Sequence, residues 1–352
     1  MISQISNQRK YLSLLLNLLF LLSCNKTINN PMQHFDKIPK KELNHSHIIN
    51  LEKFDILKPI DAIRINNSYM IWDNKNENIF NLIDPISNKV IKGVNIGNGP
   101  NEIISPSSFQ NQDGKFLIYD ISQRRINQID ISSDTTLIIK KNQEINTNKR
   151  LFVINRIGSN IIATGILEDY WLANMTTDGE ITSGIEFPAF EETNNTPKVQ
   201  LSMLYISTLM ANTSDNKKVV AVTQKHGVVS FLNYINNSIL NEYKQIKYYA
   251  PNFTIEERGN IAFSKNNQVG FCGVDCDNDY VYALYSGKTF AKEGMLNHHC
   301  ENLLIYDWNG NPIKHYVLDI PLYSMRYNEK NNLIYGIAYY PEGILVEYQL
   351  DD

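Results

Sequence analysis

The sequence lacks the features that assign many protein classes directly. Its 352 residues contain four cysteines, too few for a disulfide-dense scaffold, so an apolar core must supply the stability. The formal net charge is −4 and the lysines and arginines are dispersed, which argues against a nucleic-acid-binding face or a basic membrane patch. Helical periodicity is nearly absent, apart from residues 199–210, which we interpret as a short helix or an irregular insertion.

Motifs of common enzyme classes are also missing. There is no Gly-x-Ser-x-Gly nucleophile elbow. The triplet Gly287-Lys288-Thr289 looks like the end of a phosphate loop, but position 282 is tyrosine where that loop needs glycine. Four aspartates stand at predicted strand ends: Asp73, Asp84, Asp120 and Asp307. Their repetition favours turn capping over a glycosidase pair, and we predict no catalytic residue and no cofactor.

The first 24 residues have the pattern of an export signal. Arg9 and Lys10 precede a short apolar run at 11–22, which is too short to span a bilayer as a helix. We therefore predict a signal peptide at 1–23. Residues Leu21 to Cys24 resemble the lipobox of bacterial lipoproteins, and this implies that Cys24 is lipidated, with palmitate among the acyl chains. An ordinary signal peptide with a chance cysteine is the alternative.

The segment that follows Cys24 is polar, with two prolines and a Lys-Lys pair, and it shows neither a strand nor a helix period. We predict that residues 24–45 form a flexible tether, spanning on the order of 25 Å. The residues after Cys24 lack the acidic run that marks surface-exported lipoproteins of Bacteroidetes. A periplasm-facing position on the outer membrane is therefore expected.

Residues 46–352 read as short strands separated by turn residues. The 20 tyrosines and 14 phenylalanines favour strands. Six sets recur at about 50-residue spacing, near 61–95, 115–140, 151–187, 218–249, 268–319 and 322–350. The phrase Phe116-Leu-Ile-Tyr-Asp120 recurs as Leu303-Leu-Ile-Tyr-Asp307. We predict an all-β, six-bladed β-propeller, in which residues 46–54 add a strand to the last blade and close the ring.

Two stretches carry a family resemblance. The loop Gly97-Asn-Gly-Pro-Asn-Glu102 and the strand phrase from Asp279 to Gly287, together with the lipobox, resemble the TolB-like six-bladed propeller lipoproteins of Bacteroidetes. The resemblance spans nearly the whole mature chain. It implies architecture and export, and it attaches no firm activity.

Candidate binding residues lie in these same two stretches. Gly97 and Gly99 could offer backbone amides to an anion, although Glu102 disfavours one and a tight crossing between blades is the simpler interpretation. Tyr280 and Tyr282 share one strand face, whereas Tyr285 falls on the other. They could stack on a sugar ring, with core filling as the default.

A set of soft-metal ligand types occurs near the C-terminal third: Cys272, Cys276, His298, His299 and Cys300. Their spacing is not a standard zinc pattern, and we predict no metal site. Cys272 and Cys276 lie in one predicted strand, roughly 13 Å apart, which is too far for a disulfide. Buried thiols, or one pairing with Cys300, are the preferred interpretation.

These features favour a non-enzymatic binding or scaffolding protein of the envelope. Its expected partners are the membrane, through the lipid anchor, and an envelope protein, peptide or glycan held by the propeller. Two alternatives stay open. One is a propeller hydrolase or lactonase with a metal in the central channel, and the other is a glycan-binding component of polysaccharide uptake.

Overall fold

A computed structural model of the chain describes residues 29–75, 77–112, 114–133 and 135–351. The predicted signal peptide and Cys24 lie outside the described residues. Within these ranges the fold is a β-propeller of six blades, as predicted from the sequence. No helix in the described part of the chain is both long and apolar enough to cross a bilayer.

Three short elements precede the first blade. They are helix α1 (Pro31–His34) and strands β1 (Lys40–Leu43) and β2 (His47–Asn50). Strand β1 runs parallel to the outermost strand of blade 5, and β2 runs antiparallel to the third strand of blade 6.

The blades follow one another along the chain, each with its innermost strand first. Blade 1 comprises β3 (Pro59–Ile65), β4 (Ser68–Asp73), β5 (Asn78–Asp84) and β6 (Lys89–Ile96). The two-residue β7 (Glu102–Ile103) leads to blade 2, with β8 (Pro106–Gln112), β9 (Lys115–Asp120), β10 (Arg125–Ile131) and β11 (Leu137–Glu144). Blade 3 comprises β12 (Arg150–Ile157), β13 (Asn160–Ile166), β14 (Leu172–Met175) and β15 (Ile181–Ile185).

The second half repeats the plan with insertions. Helix α2 (Lys198–Tyr205) precedes blade 4, which comprises β16 (Thr208–Asn212), β17 (Lys218–Thr223), β18 (Gly227–Ile235) and β19 (Ile239–Tyr249). The hairpin of β20 (Phe253–Ile255) and β21 (Ile261–Phe263) leads to blade 5, with β22 (Phe271–Cys276), β23 (Tyr280–Tyr285), helix α3 (Phe290–Glu293), β24 (Cys300–Asp307) and β25 (Pro312–Leu322). Blade 6 comprises β26 (Arg326–Asn328), β27 (Leu333–Tyr339), β28 (Gly343–Gln349) and β2. Short 3₁₀ turns occur at Glu52–Phe54, Glu191–Thr193, Gly294–His298 and Glu329–Asn331.

The apolar core is divided among the gaps between neighbouring blades. Six clusters of buried side chains are found in the described residues, and each joins two adjacent blades. Strand β17 illustrates how one blade contributes to two clusters. Val219 and Ala221 pack toward blade 3, and Val220 and Val222 pack toward blade 5. Alternate side chains point to opposite sheet faces, so a strand buried on both faces needs apolar residues at every position.

The ring closes through the strand predicted for this purpose. His47, Ile48, Ile49 and Asn50 pair in register with Glu347, Val346, Leu345 and Ile344 of β28. Ile49 faces the cluster between blades 6 and 1, while Ile48 is exposed. The closure prediction is confirmed, and the edge of β28 is covered.

The predicted tether ends earlier than residue 45. Phe35 is buried against the ring of Tyr306, with the ring centroids 4.9 Å apart, and Leu43 packs between blades 5 and 6. The prediction of a flexible segment is therefore wrong for residues 31–43. The few apolar side chains in this polar stretch dock on blade 5, and β1 finds backbone partners along β25.

Two of the capping aspartates have the same role in successive blades. Asp73 accepts hydrogen bonds from the amides of Leu57 and Lys58, which enter β3. Asp120 accepts them from Ile104 and Ser105, which enter β8 at the equivalent place. The prediction that these residues cap turns is confirmed for both positions.

Candidate functional site

A channel runs through the centre of the ring, with a cavity of about 720 Å³. The innermost strand of every blade contributes to its wall: β3, β8, β12, β16, β22 and β26. This volume falls in the range of small-molecule binding sites. Because one face of each inner strand is exposed to the channel, these strands carry polar residues where the middle strands carry apolar ones.

Charged groups in the channel wall balance one another. Arg326 on β26 donates from Nη2 to Asp61 Oδ2 at 2.5 Å and to the carbonyl oxygen of Phe109 at 2.6 Å. Asp275 on β22 interacts with the same guanidinium and accepts a hydrogen bond from the amide of Tyr327 at 2.8 Å. Desolvation at the wall raises the pKa of Asp275, although Arg326 opposes this. The fourth charged residue of the wall is Arg156, whose guanidinium donates to Gln143 Oε1 at 3.0 Å, so the wall contains two carboxylates and two guanidiniums.

Amide side chains form a chain of hydrogen bonds across three blades. Gln110 of blade 2 donates to the carbonyl oxygen of Ile154 at 2.7 Å and to Asn155 Oδ1 at 3.0 Å. Asn155 of blade 3 donates to Asn212 Oδ1 of blade 4 at 2.9 Å. These contacts fix the spacing of the inner strands and hold amide groups at the channel wall.

Two side chains of the wall have polar atoms without a protein partner. Ser324 Oγ and Trp72 Nε1 are both buried and make no hydrogen bond in the structure. Ser324 lies just before β26 and Trp72 near the end of β4, so chain direction places both toward the channel end where the loops enter the inner strands. Gln224 and the exposed Tyr323 belong to the same wall. A buried polar atom without a partner costs about 1–3 kcal/mol, and a polar ligand that reaches these atoms after a side-chain shift would recover that cost.

Sequence reasoning did not identify these channel residues. Ser324 and Arg326 carry no motif, and they reach the channel only because the first strands of different blades converge. Trp72 belongs to the recurring strand phrase of β4, which does not show that its side chain reaches the channel wall. One signal was present: the segments that enter the channel are polar and interrupt the apolar strand pattern, as in Pro-Ser-Ser-Phe-Gln-Asn-Gln at 106–112.

The predicted glycine loop lies apart from the channel wall. Gly97, Gly99 and Glu102 form the crossing between blades 1 and 2. The amide of Gly99 donates to Glu102 Oε2 at 2.6 Å, and a Cβ on Gly97 would come within 2.2 Å of the same oxygen. The chain's own carboxylate therefore occupies the position expected for an anion. A binding role for these three residues stays a prediction.

The two predicted tyrosines lie in different environments. Tyr282 is buried, stacks on Tyr327 with ring centroids 4.0 Å apart, and donates to Asp277 Oδ2 at 2.7 Å. Tyr280 is 40% exposed at the start of β23. Tyr285 packs in the opposite gap, toward blade 4, so the predicted division of faces is confirmed. Neither Tyr280 nor Tyr282 lines the channel, and a role for them in binding remains a prediction.

The cysteines and histidines separate into distinct groups. Cys272 Sγ lies 3.8 Å from His298 Nδ1, and Cys300 lies beside them. Cys276 packs in the gap between blades 4 and 5, and the ring of His299 lies near Tyr323 and Tyr339. Among the described residues there is no group of three or more His, Cys, Asp or Glu side chains suited to a metal ion.

The fold and the channel define the class of protein as a six-bladed β-propeller with a polar central cavity. The chain belongs to the TolB-like 6-blade propeller-like family, whose model matches residues 35–330. The family resemblance seen in the sequence is therefore confirmed. No curated protein matches the chain.

Solved structures share the architecture at low sequence identity. A Bacteroides fragilis protein described as exported is 12% identical, with a TM-score of 0.51, over 89% of this chain and 100% of that one. BamB from Moraxella catarrhalis is 12% identical over 82% of this chain and 69% of that one, with a TM-score of 0.39. A Bacteroides uniformis protein described as a 6-phosphogluconolactonase is 11% identical over 77% and 74%, with a TM-score of 0.41. At these identities the likeness concerns the fold alone.

Proposed function

We propose that this protein is a lipid-anchored envelope binding module whose central channel binds an uncharged, polar ligand, with a carbohydrate as the ligand class. The channel carries the proposal: its wall is rich in amide and hydroxyl side chains, and Ser324 Oγ and Trp72 Nε1 have unmet hydrogen bonds. The lipobox at Leu21 to Cys24 supports the anchor.

Charge balance favours a neutral ligand over an ionic one. The carboxylates of Asp61 and Asp275 face the guanidinium of Arg326, which is already bonded to Asp61 and to the backbone at Phe109. An anionic ligand would compete with Asp61 for Arg326, and a cationic ligand would have to displace an existing ion pair. A sugar can bind without breaking the ion pair, because its hydroxyls both donate and accept hydrogen bonds.

Aromatic side chains in the channel wall also suit a carbohydrate ligand. Trp72, Phe152 and Tyr323 belong to the channel wall beside the amides. Apolar ring faces next to a small number of polar groups are typical of small-ligand sites. Aromatic rings present an apolar body, and the indole of Trp72 adds a donor.

Calorimetric titration with neutral oligosaccharides tests the ligand class. Ser324→Ala and Trp72→Phe each remove one unmet polar atom, and we expect each to weaken binding about tenfold, the equivalent of one hydrogen bond. Ser87→Ala, in an exposed turn of blade 1, is the matched control and should bind like the parent. Binding of acidic sugars in preference to neutral ones, or unchanged affinity in both channel variants, would contradict the proposal.

Labelling with palmitate in cells tests the anchor separately. The parent protein should carry the label and sediment with membranes, and Cys24→Ala should lose the label and appear in the soluble fraction. If Cys24→Ala stays as firmly bound to membranes, the anchor is wrong, while the channel proposal is unaffected.

A further inference from the structure

Two thiols lie together in the gap between blades 5 and 6. Cys272 belongs to β22 and Cys300 begins β24, and both are buried in the same apolar cluster with Leu284, Leu303 and Leu322. The thiol of Cys300 donates to the carbonyl oxygen of His298 at 3.4 Å, and Cys272 Sγ lies 3.8 Å from Nδ1 of the same histidine, so both sulfurs contact His298. All three cysteines of the described chain are unpaired as disulfides, so each is a thiol.

A β-bulge brings this pair together. The pairing of β22 with β23 passes from Phe271–Tyr285 to Gly273–Leu284, which leaves Cys272 without an opposite residue. A bulge redirects the side chain at its position. As a result Cys272 points toward blade 6, whereas Cys276, four residues on, points toward blade 4. In a regular strand the two would share a face.

The surroundings make the two sulfurs chemically different. The neighbouring Cys300 side chain lowers the pKa of Cys272 against the opposing effect of burial, and His298 and Lys225 lower it further. Burial raises the pKa of Cys300, and it also raises the pKa of Cys276. The thiolate is the reactive form of cysteine, so Cys272 is the nucleophile of the pair.

Access to Cys272 is narrow. The residue is 6% exposed and belongs to the channel wall, next to Gly273 and Ser324. A large disulfide reagent such as glutathione would need the blades to separate. Hydrogen peroxide is close to water in size and can reach a sulfur at the wall of a wet channel.

We propose that Cys272 and Cys300 are a peroxide-oxidisable thiol pair at the channel wall, with Cys272 as the attacking sulfur and Cys300 as the resolving one. The Cys272 thiolate attacks one oxygen of hydrogen peroxide and the O–O bond breaks. The departing hydroxide takes a proton and leaves as water, and Cys272 becomes a sulfenic acid.

The second step forms the disulfide. The sulfur of Cys300 attacks the sulfur of Cys272 and the S–O bond breaks, so that the hydroxyl leaves with the thiol proton as a second water. Two thiols are thereby oxidised and one peroxide is reduced to two waters. Sensor cysteines of this kind are typically thiolates placed next to a resolving cysteine.

Peptide mass spectrometry of the purified full-length mature protein tests the pair without any mutation. After brief treatment with hydrogen peroxide we expect a cross-linked Cys272–Cys300 peptide, lighter by two hydrogens than the two separate peptides, that dithiothreitol separates. Cys272 should react at least about tenfold faster than Cys276. Equal reaction of Cys276, or stable sulfenic acid on Cys272 without the cross-link, would overturn the proposal.

Two variants test which sulfur attacks the peroxide and which one forms the disulfide. Cys300→Ser removes the resolving sulfur, so Cys272 should remain a sulfenic acid that dimedone traps. Cys276→Ser is the matched control, since it removes a buried thiol of the same strand, and it should oxidise like the parent. A dimedone adduct on Cys300 in a Cys272→Ser protein, formed as fast as the parent reacts, would reverse the roles and contradict the assignment.

Discussion

Asp61 on the innermost strand of blade 1 and Arg326 on the innermost strand of the neighbouring blade 6 form a salt bridge at the channel wall, 2.5 Å between Oδ2 and Nη2. They are 265 residues apart in the sequence. The same guanidinium bonds the backbone of Phe109 in blade 2, so one side chain joins three blades.

The first prediction concerns this salt bridge. Arg326→Met should lower the free energy of unfolding by about 2–4 kcal/mol, because Asp61 then lies mostly buried without its partner. Urea denaturation measures the change. Lys140→Ala removes an exposed pair with Asp130 and should cost less than about 1 kcal/mol. Equal effects of the two substitutions would show that the channel pair is as weak as a surface one.

The second prediction uses two adjacent isoleucines of the closing strand. Ile49 is buried between blades 6 and 1, and Ile48 is 41% exposed. Ile49→Ala should cost about 2–4 kcal/mol, and Ile48→Ala no more than about 0.5 kcal/mol. Thermal unfolding of both variants checks this. If the two melt alike, β2 does not close the ring.

The third prediction concerns the docked N-terminal segment. Phe35→Ala removes the ring that packs on Tyr306, so residues 31–43 should detach and the backbone at the exposed Lys37 and Lys40 should become flexible enough for trypsin to cut. Limited proteolysis should cut the variant there much faster than the parent. Asp36→Ala changes an exposed neighbour and should be cut at the parent's rate. Rapid cleavage of the parent itself would restore the tether interpretation.

The fourth prediction is a pH dependence carried by His226. Both ring nitrogens of His226 are buried without a partner, and burial lowers its pKa to about 3. In the unfolded chain His226 binds a proton below about pH 6.5, whereas in the folded protein it stays neutral down to about pH 3. The free energy of unfolding is therefore highest above pH 6.5 and decreases as the pH falls toward 3. At pH 5 the loss amounts to roughly 2 kcal/mol.

His226→Phe isolates this effect, since it keeps an aromatic ring beside Tyr205 and removes both nitrogens. Unfolding free energies at pH 7 and pH 5 should differ by about 2 kcal/mol less in the variant than in the parent. His315, whose pKa burial lowers to about 4, is present in both proteins and cancels. Parallel pH profiles would exclude His226 as the source.

Much of the fold could be predicted because the middle strands are apolar at most positions on both faces. Strand β9 and strand β24, with their shared Leu-Ile-Tyr-Asp phrase, were recognised from sequence and pair as expected. For residues 199–210 the sequence left a short helix or an irregular insertion open, and the structure has a helix at Lys198–Tyr205. Residues 208–210 begin β16, an inner strand that the sequence pattern did not reveal.

Two inner strands, β8 and β16, and the site were not predicted, for one physical reason. Strand β8 has a single fully buried residue, Phe109, because its other side chains face the channel or bond to blade 3. A search for strands with apolar residues on both faces therefore does not detect β8. The bulge at Cys272 was equally hidden, since only the register with β23 shows that the alternation of faces is broken there.

The parallel pairing of β1 with β25 sets how far the propeller can stand from a bilayer. If Cys24 carries the acyl chains, the six residues 25–30 are all that separate it from the docked helix α1, and six extended residues reach about 21 Å. Blade 5 would then be the side nearest the lipid headgroups. Large partners would have to approach from blades 2 and 3 on the opposite side, and the domain would have little freedom to turn.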